Sequence, residues 1–314
     1  MTSPVDVPAE VVDVADARAA AKAARDFAQA DLLREQIAAL GYLVTDGPDG
    51  YRLAPKPPFD VLPSLEAVAA GPYAVDARCA VLLFVDGWPD DLEACVRAIV
   101  ADSDPSVVIV GLDCGNVDDA GLRLRALAVE FPDRVTDLHL AAPLAQVGWG
   151  RATTALVEGC RSEFVASMDA STLLDGDAFS VILAELDDPS VAASGWRGVD
   201  VDLADNWRSF SDGGPGEVDA ILGYLLVVRR EAAVATPPHP KARFYRNADM
   251  EWSLALREAG GRLVIPAEPV PARQGRHHGY HDSDPEYRDR ESRKTYDRLL
   301  QRFRAKPQIL RPRD

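Results

Sequence analysis

Between residues 79 and 169 the chain repeats one unit, a short apolar run followed by a segment with helical spacing. Apolar runs at 79–85, 107–112, 135–140 and 164–168 alternate with helical patterns at 90–100, 120–130 and 150–160. Runs this short and this apolar read as strands covered on both faces, and helices between them impose right-handed crossovers between parallel strands. The pattern therefore predicts an open α/β sheet flanked by helices. Ligands bind such sheets outside the carboxyl ends of the strands, and the fourth run, Phe164-Val165-Ala166-Ser167-Met168, ends directly on Asp169. About eighty residues later a helix opens with two more acids, Asp249 and Glu251.

Beyond Asp169 the rhythm changes. A helix at 175–186 leads to a short strand at 191–194, a Gly/Asp-rich loop at 205–216 and a long strand at 218–229. The sheet is thus expected to be mixed in its second half. Before it, residues 1–54 read as a small module: an Ala-rich helical stretch over 15–40 with apolar positions Phe27, Leu32, Leu33, Ile37 and Leu40, then a hairpin around Pro48-Asp49-Gly50. The proline-rich residues 55–76 read as a semi-extended linker, 77–285 as the main domain, and 286–314 as a basic helix and tail.

Charge narrows the function classes. The chain carries a net −16 over 314 residues, which disfavours broad binding to DNA or RNA. The segment 286–314 runs the other way, with ten Lys or Arg against five Asp or Glu. Its apolar positions Tyr296, Leu299, Leu300 and Phe303 share one helix face, so the plain reading is a docked helix with solvated charges. The sharper reading is a basic face near an anionic, lipid-linked acceptor. Cys79, Cys95, Cys114 and Cys160 have no C-x-x-C spacing and read as structural thiols in a reducing compartment. With no spanning stretch and no secretory start, the expected location is cytoplasmic, with contact at the inner membrane face left open.

Two resemblances refine this picture. Ala17-Arg18, Lys22, Arg25-Asp26-Phe27, Ala30-Asp31, Leu33-Arg34, Gly41 and Asp46-Gly47-Pro48-Asp49-Gly50-Tyr51-Arg52 resemble the C-terminal extension of cysteinyl-tRNA synthetases. That likeness implies RNA contact, yet no basic surface with interleaved aromatics supports it. A packing or dimerisation module is the favoured alternative.

The second resemblance spans about residues 80–280. In order come Val85-Asp86-Gly87-Trp88, Asp113-Cys114-Gly115-Asn116, Val147-Gly148-Trp149-Gly150, Met168-Asp169-Ala170-Ser171, Leu222-Gly223-Tyr224 and Ala248-Asp249-Met250-Glu251. Together they resemble a family 2 inverting glycosyltransferase of the GT-A fold. The resemblance implies a GT-A-type, nucleotide-binding mixed sheet and transfer from a nucleotide-sugar donor to an acceptor hydroxyl. It implies Asp249 as the base that takes the acceptor proton, with Glu251 in support. It places Asp86 and Asp113 at the nucleoside and Asp169 as the first acid of an Asp-x-Asp pair holding Mg²⁺ or Mn²⁺.

Ser171 stands where the second acid belongs, and a neutral hydroxyl does not replace a carboxylate's charge. The segment Arg273-Gln274-Gly275-Arg276-His277-His278 offers a substitute: Arg273 and Arg276, with the two histidines, suit the leaving diphosphate, and the resemblance implies a histidine here, His277 or His278, that reaches the metal or diphosphate. Trp196, Trp207, Tyr224 and Trp252 are weighed as sugar-stacking faces against core positions. Two readings compete with the transferase: a degenerate GT-A domain that binds a nucleotide or partner without turnover, and an RNA-associated protein led by its N-terminal module.

Overall fold

The computed structural model describes residues 7–47, 50–276 and 284–313. They form two compact units, Met1–Pro58 and Phe59–Asp314.

The first unit contains α1 (Ala9–Ala23), α2 (Phe27–Ala39) and an antiparallel hairpin of β1 (Tyr42–Gly47) and β2 (Gly50–Pro55). The Ala-rich stretch expected as one helix is two, because Arg25 adopts a left-handed φ of 61° and the Asp26 side chain caps α2 by accepting from Gln29 N. Val11, Ala15, Ile37 and Val44 make its core. Phe27 and Leu32, expected on the apolar face, lie outside it, since Ala30, Leu33 and Ile37 are the positions α2 buries. Arg18 donates two bonds to Asp46, at 2.8 and 3.0 Å, and Lys22 adds a third at 2.6 Å. These cations hold the Asp46 carboxyl well below the usual carboxylate range.

The second unit begins with α3 (Leu65–Ala70), β3 (Cys79–Val85), α4 (Pro89–Asp102), β4 (Val107–Cys114), α5 (Ala120–Glu130), β5 (Val135–Leu140), α6 (Leu144–Val147), α7 (Trp149–Gly159) and β6 (Phe164–Met168). It continues with β7 (Thr172–Leu174), α8 (Ala178–Glu185), β8 (Val191–Gly195), β9 (Gly198–Val201), β10 (Phe210–Gly213), β11 (Gly216–Glu217), β12 (Ala220–Ile221) and β13 (Leu225–Arg229). Last come α9 (Arg230–Ala235), α10 (Ala248–Glu258), β14 (Arg262–Ile265), β15 (Ala272–Gln274) and α11 (Pro285–Phe303).

Eight strands form the main sheet in the order β11-β14-β8-β13-β6-β3-β4-β5. β3, β4, β5 and β6 are parallel, and β13 enters antiparallel between β6 and β8. Period-two alternation sends each strand's side chains to two cores. From β3, Cys79, Val81, Leu83 and Val85 pack with residues of α4, α5 and α8, while Ala80 and Leu82 pack with residues of α7 and α10. The chain order leaves β3 toward β4 on one side and toward β6 on the other. A crevice at the β3–β6 switch point follows from that topology.

Three segments differ from expectation. The Pro-rich residues 55–76 are not a plain spacer: they contain α3, Leu62 bridges Leu140, Tyr73 bridges Cys160, and Val68 is fully buried. Prolines there punctuate apolar anchors rather than extend a tether. The strand expected at 218–229 breaks into β12 and β13 around Leu222-Gly223-Tyr224, and the loop expected at 205–216 supplies β10 to a three-stranded β10-β9-β12 sheet.

The tail helix α11 docks through Leu299 and Phe303, both fully buried. Arg298 turns inward to pair with Glu251, while the cations at and just beyond the helix end stay at the surface in partnered positions: Arg302 and Lys306 pair with Glu258, and Arg304 bonds Asn206. Among the described residues no helix is long and apolar enough to cross a membrane. All four cysteines are buried and free.

Candidate active site

A cavity of about 410 Å³ opens at the carboxyl ends of β3, β4 and β6. Three acids from distant parts of the chain line it: Asp86 after β3, Asp169 after β6, and Asp249 in the first turn of α10. Trp88, Tyr224, Arg243, Arg246 and Tyr287 complete the polar and aromatic wall.

Each acid is placed by backbone structure. Asp169 donates its N–H to Tyr224 O at 3.2 Å, so β13 holds the end of β6. Its Oδ1 accepts from the Ser171 N–H and the Ser171 hydroxyl, both at 2.8 Å. Asp249 Oδ2 accepts from Gly223 N and Oδ1 from Met250 N, both at 2.8 Å. A Cβ on Gly223 would lie 3.3 Å from that of Asp249, so the break between β12 and β13 lets the backbone approach the acid closely. Desolvation raises the Asp249 pKa above the ordinary carboxylate value, against the lowering effect of those N–H donors. A half-buried carboxylate with raised basicity, facing a cavity, can accept a proton from a bound hydroxyl.

The short β7–β15 pair delivers the C-terminal loop to this place. Gly275 donates to Ser171 O at 2.9 Å, and the Ser171 hydroxyl contacts Arg276 O. The Arg276 guanidinium lies 3.8 Å from the Trp88 ring centroid and 3.3 Å from Asp91. A cation is thereby held at the edge of the cavity that Trp88 lines.

Other expected residues lie elsewhere. Asp113 is buried at the end of β4, where it accepts from Asn116 N and sits 3.0 Å from His139 Nδ1. Its carboxylate holds a turn, while Cys114 and Val117 from that turn reach the cavity. Glu251 points the opposite way from Asp249 and makes two 2.6 Å bonds with Arg298. One helical step of about 100° separates neighbouring residues, so 249 and 251 cannot share a face. Arg273 is exposed and paired with Asp175 at 3.0 Å. His277 and His278 lie outside the described residues. Of the four aromatic candidates, Tyr224 lines the cavity, Trp207 and Trp252 are buried, and Trp196 packs edge-on to Tyr224.

Sequence reasoning missed Trp88 and the loop carrying Arg243 and Arg246. Trp88 directly follows the Asp86-Gly87 turn, a usable signal. The loop gave none, because it reaches the cavity through α7: Trp149 N and Gly150 N donate to Arg243 O and Ala242 O. A Cβ on Gly150 would meet His239 O at 2.3 Å, so glycine permits that approach.

Among the described residues no cluster of three or more His, Cys, Asp or Glu side chains is arranged to hold a metal. Ser171 is already engaged by Asp169 and Arg276, so these residues do not build a metal site around Asp169 by themselves.

No protein-family model matches the chain. Its fold is that of the GT-A glycosyltransferases. The mannosyltransferase PcManGT from Pyrobaculum calidifontis, solved with GDP-Man and Mn²⁺, superposes at a TM-score of 0.52 and 16% identity, over 80% of this chain and 79% of that one. GalNAc-T7, solved with UDP, GalNAc and Mn²⁺, superposes at 0.58 and 13% identity, over 71% of this chain and 48% of that one. The N-terminal unit is similar to a different protein: 50 residues are 56% identical to the cysteine–tRNA ligase of Opitutus terrae (strain DSM 11246 / JCM 15787 / PB90-1). That match covers 16% of this chain and 11% of the ligase.

Proposed function

We propose that the Phe59–Asp314 unit transfers a sugar from a nucleotide-sugar donor to an acceptor hydroxyl with inversion. The observation that carries this reading is the convergence of Asp86, Asp169 and Asp249 on one cavity at the switch point of a GT-A sheet. The acceptor oxygen forms a bond to the anomeric carbon as the bond from that carbon to the diphosphate breaks. Asp249 takes the acceptor's proton, and the electron pair leaves with the diphosphate. Growing charge on the leaving group requires cations, which Arg246 and Arg276 provide at the cavity wall and rim. Trp88 and Tyr224 offer flat faces to a base or sugar.

The deciding experiment measures nucleoside diphosphate release from UDP-, GDP- and dTDP-sugars, with and without Mn²⁺, for the native chain and Asp249→Asn. Release by the native chain and its loss in Asp249→Asn, with donor binding kept, supports the base assignment; equal turnover in both overturns it. Ser171 in place of a second acid favours one competing reading, a module that binds the donor without turnover. Donor binding with no release under any condition would establish it.

A further inference from the structure

A second cavity, of about 640 Å³, adjoins the first. Arg243 lines both, and the α6 segment supplies Ala145 to one and Gln146 to the other. Helix α11 does likewise, giving Tyr287 to the first and Glu291, Lys294, Asp297, Arg298 and Gln301 to the second. Five cations line the second cavity, Arg151, Lys241, Arg243, Lys294 and Arg298, against two acids, Glu291 and Asp297.

The cations differ in how far they are neutralised. Lys294 pairs with Glu291 at 2.7 Å, and Arg298 with Glu251 at 2.6 Å. Arg243 donates to the carbonyls of Ala145 and Gln146, acceptors that carry no net charge. Arg151 and Lys241 are exposed and form no salt bridge among the described residues, Glu66 acting on Arg151 electrostatically without one. The positive field reaches neighbouring groups. Burial, then Arg298, with Lys241 and Arg302 adding, keep the His239 pKa below its usual value despite Glu251. A concave positive site on a chain of net charge −16 concentrates anions locally.

We propose that this second cavity binds the phosphate of a phosphorylated acceptor, with Arg151, Lys241 and Arg243 as its ligands. Phosphate suits the arginine fork, and Arg243 stands in the wall between the bound phosphate and the cavity that holds Asp249. The acceptor role rests on the transferase reading above; the anion site does not. A soluble phosphomonoester and a phosphate on a lipid present the same chemistry to these side chains.

The test compares the full-length native chain with the double variant Arg151→Glu/Lys241→Glu, whose altered side chains are exposed; circular dichroism checks its folding. Calorimetry with glycerol 3-phosphate reads the soluble source. Sedimentation with phosphatidylcholine vesicles carrying a polyprenyl phosphate reads the lipid source. Binding in either arm that weakens by about tenfold or more in the variant, while nucleoside diphosphate affinity holds, supports the site and names its source. The proposal is overturned by no binding in both arms, by equal binding to both chains, or by displacement of the probe by nucleoside diphosphate. These outcomes are read from binding alone, so an absence of sugar transfer would refute the transferase reading without touching the anion site.

Discussion

Asp249 and Glu251 are two residues apart and face different worlds. Asp249 meets a cavity and two backbone donors; Glu251 meets Arg298 in the interior. A base must be ionised to act, and burial raises the pKa of Asp249. The acid limb of kcat/KM is therefore expected above the ordinary carboxylate range, with activity rising as pH rises through it; Asp249→Asn should lose about 10²–10⁴-fold in rate and lack that limb. A second titrating group lies beneath the turn that feeds the cavity. His139 is sandwiched between Asp113 and Asp137, at 3.0 and 2.9 Å, and stacks 3.6 Å from Phe59. Burial alone would lower its pKa, but the two carboxylates outweigh burial and raise it. Stability from a raised histidine is complete below its unfolded pKa and lost as pH climbs through the folded one. Thermal unfolding should show the melting temperature falling on the alkaline side of the usual histidine range, and His139→Gln should flatten that fall.

Helix α11 joins the site to the rest of the unit. Its N-terminal turn gives Tyr287 to the cavity, its middle gives Arg298 to Glu251, and its last turn buries Phe303 against residues of α10 and the β9–β12 sheet. Phe303→Ala removes a fully buried ring and should cost about 3–5 kcal/mol in chemical denaturation. Glu251→Ala strands the Arg298 charge in a half-buried place and should cost about 3 kcal/mol. Both losses belong to stability: where the variants remain folded, turnover per folded molecule should change far less than in Asp249→Asn. A drop in turnover as deep as that of Asp249→Asn would restore Glu251 to the chemistry.

At the scale of the molecule, among the described residues every side chain lining the candidate site comes from the Phe59–Asp314 unit. A chain beginning at Phe59 should therefore keep donor binding, measured by calorimetry with the nucleotide that the native chain prefers. Loss of binding in a folded truncation would make the first unit part of the site. What sequence alone determined was the alternation of apolar runs and helical segments, with 79–85, 120–130, 135–140 and 164–168 matching β3, α5, β5 and β6. Those runs obey local rules, because a strand buried on both faces and an amphipathic helix announce themselves through neighbouring residues. The positions of Asp169 at a strand end and Asp249 at a helix start were legible for the same reason. The facing of Asp113 and Glu251, the break at Gly223, and the arrival of Trp88, Arg243 and Arg246 were decided only by tertiary structure. Which side of a helix or turn meets a cavity depends on partners tens of residues away, such as His139 and Arg298, and no local pattern carries that information.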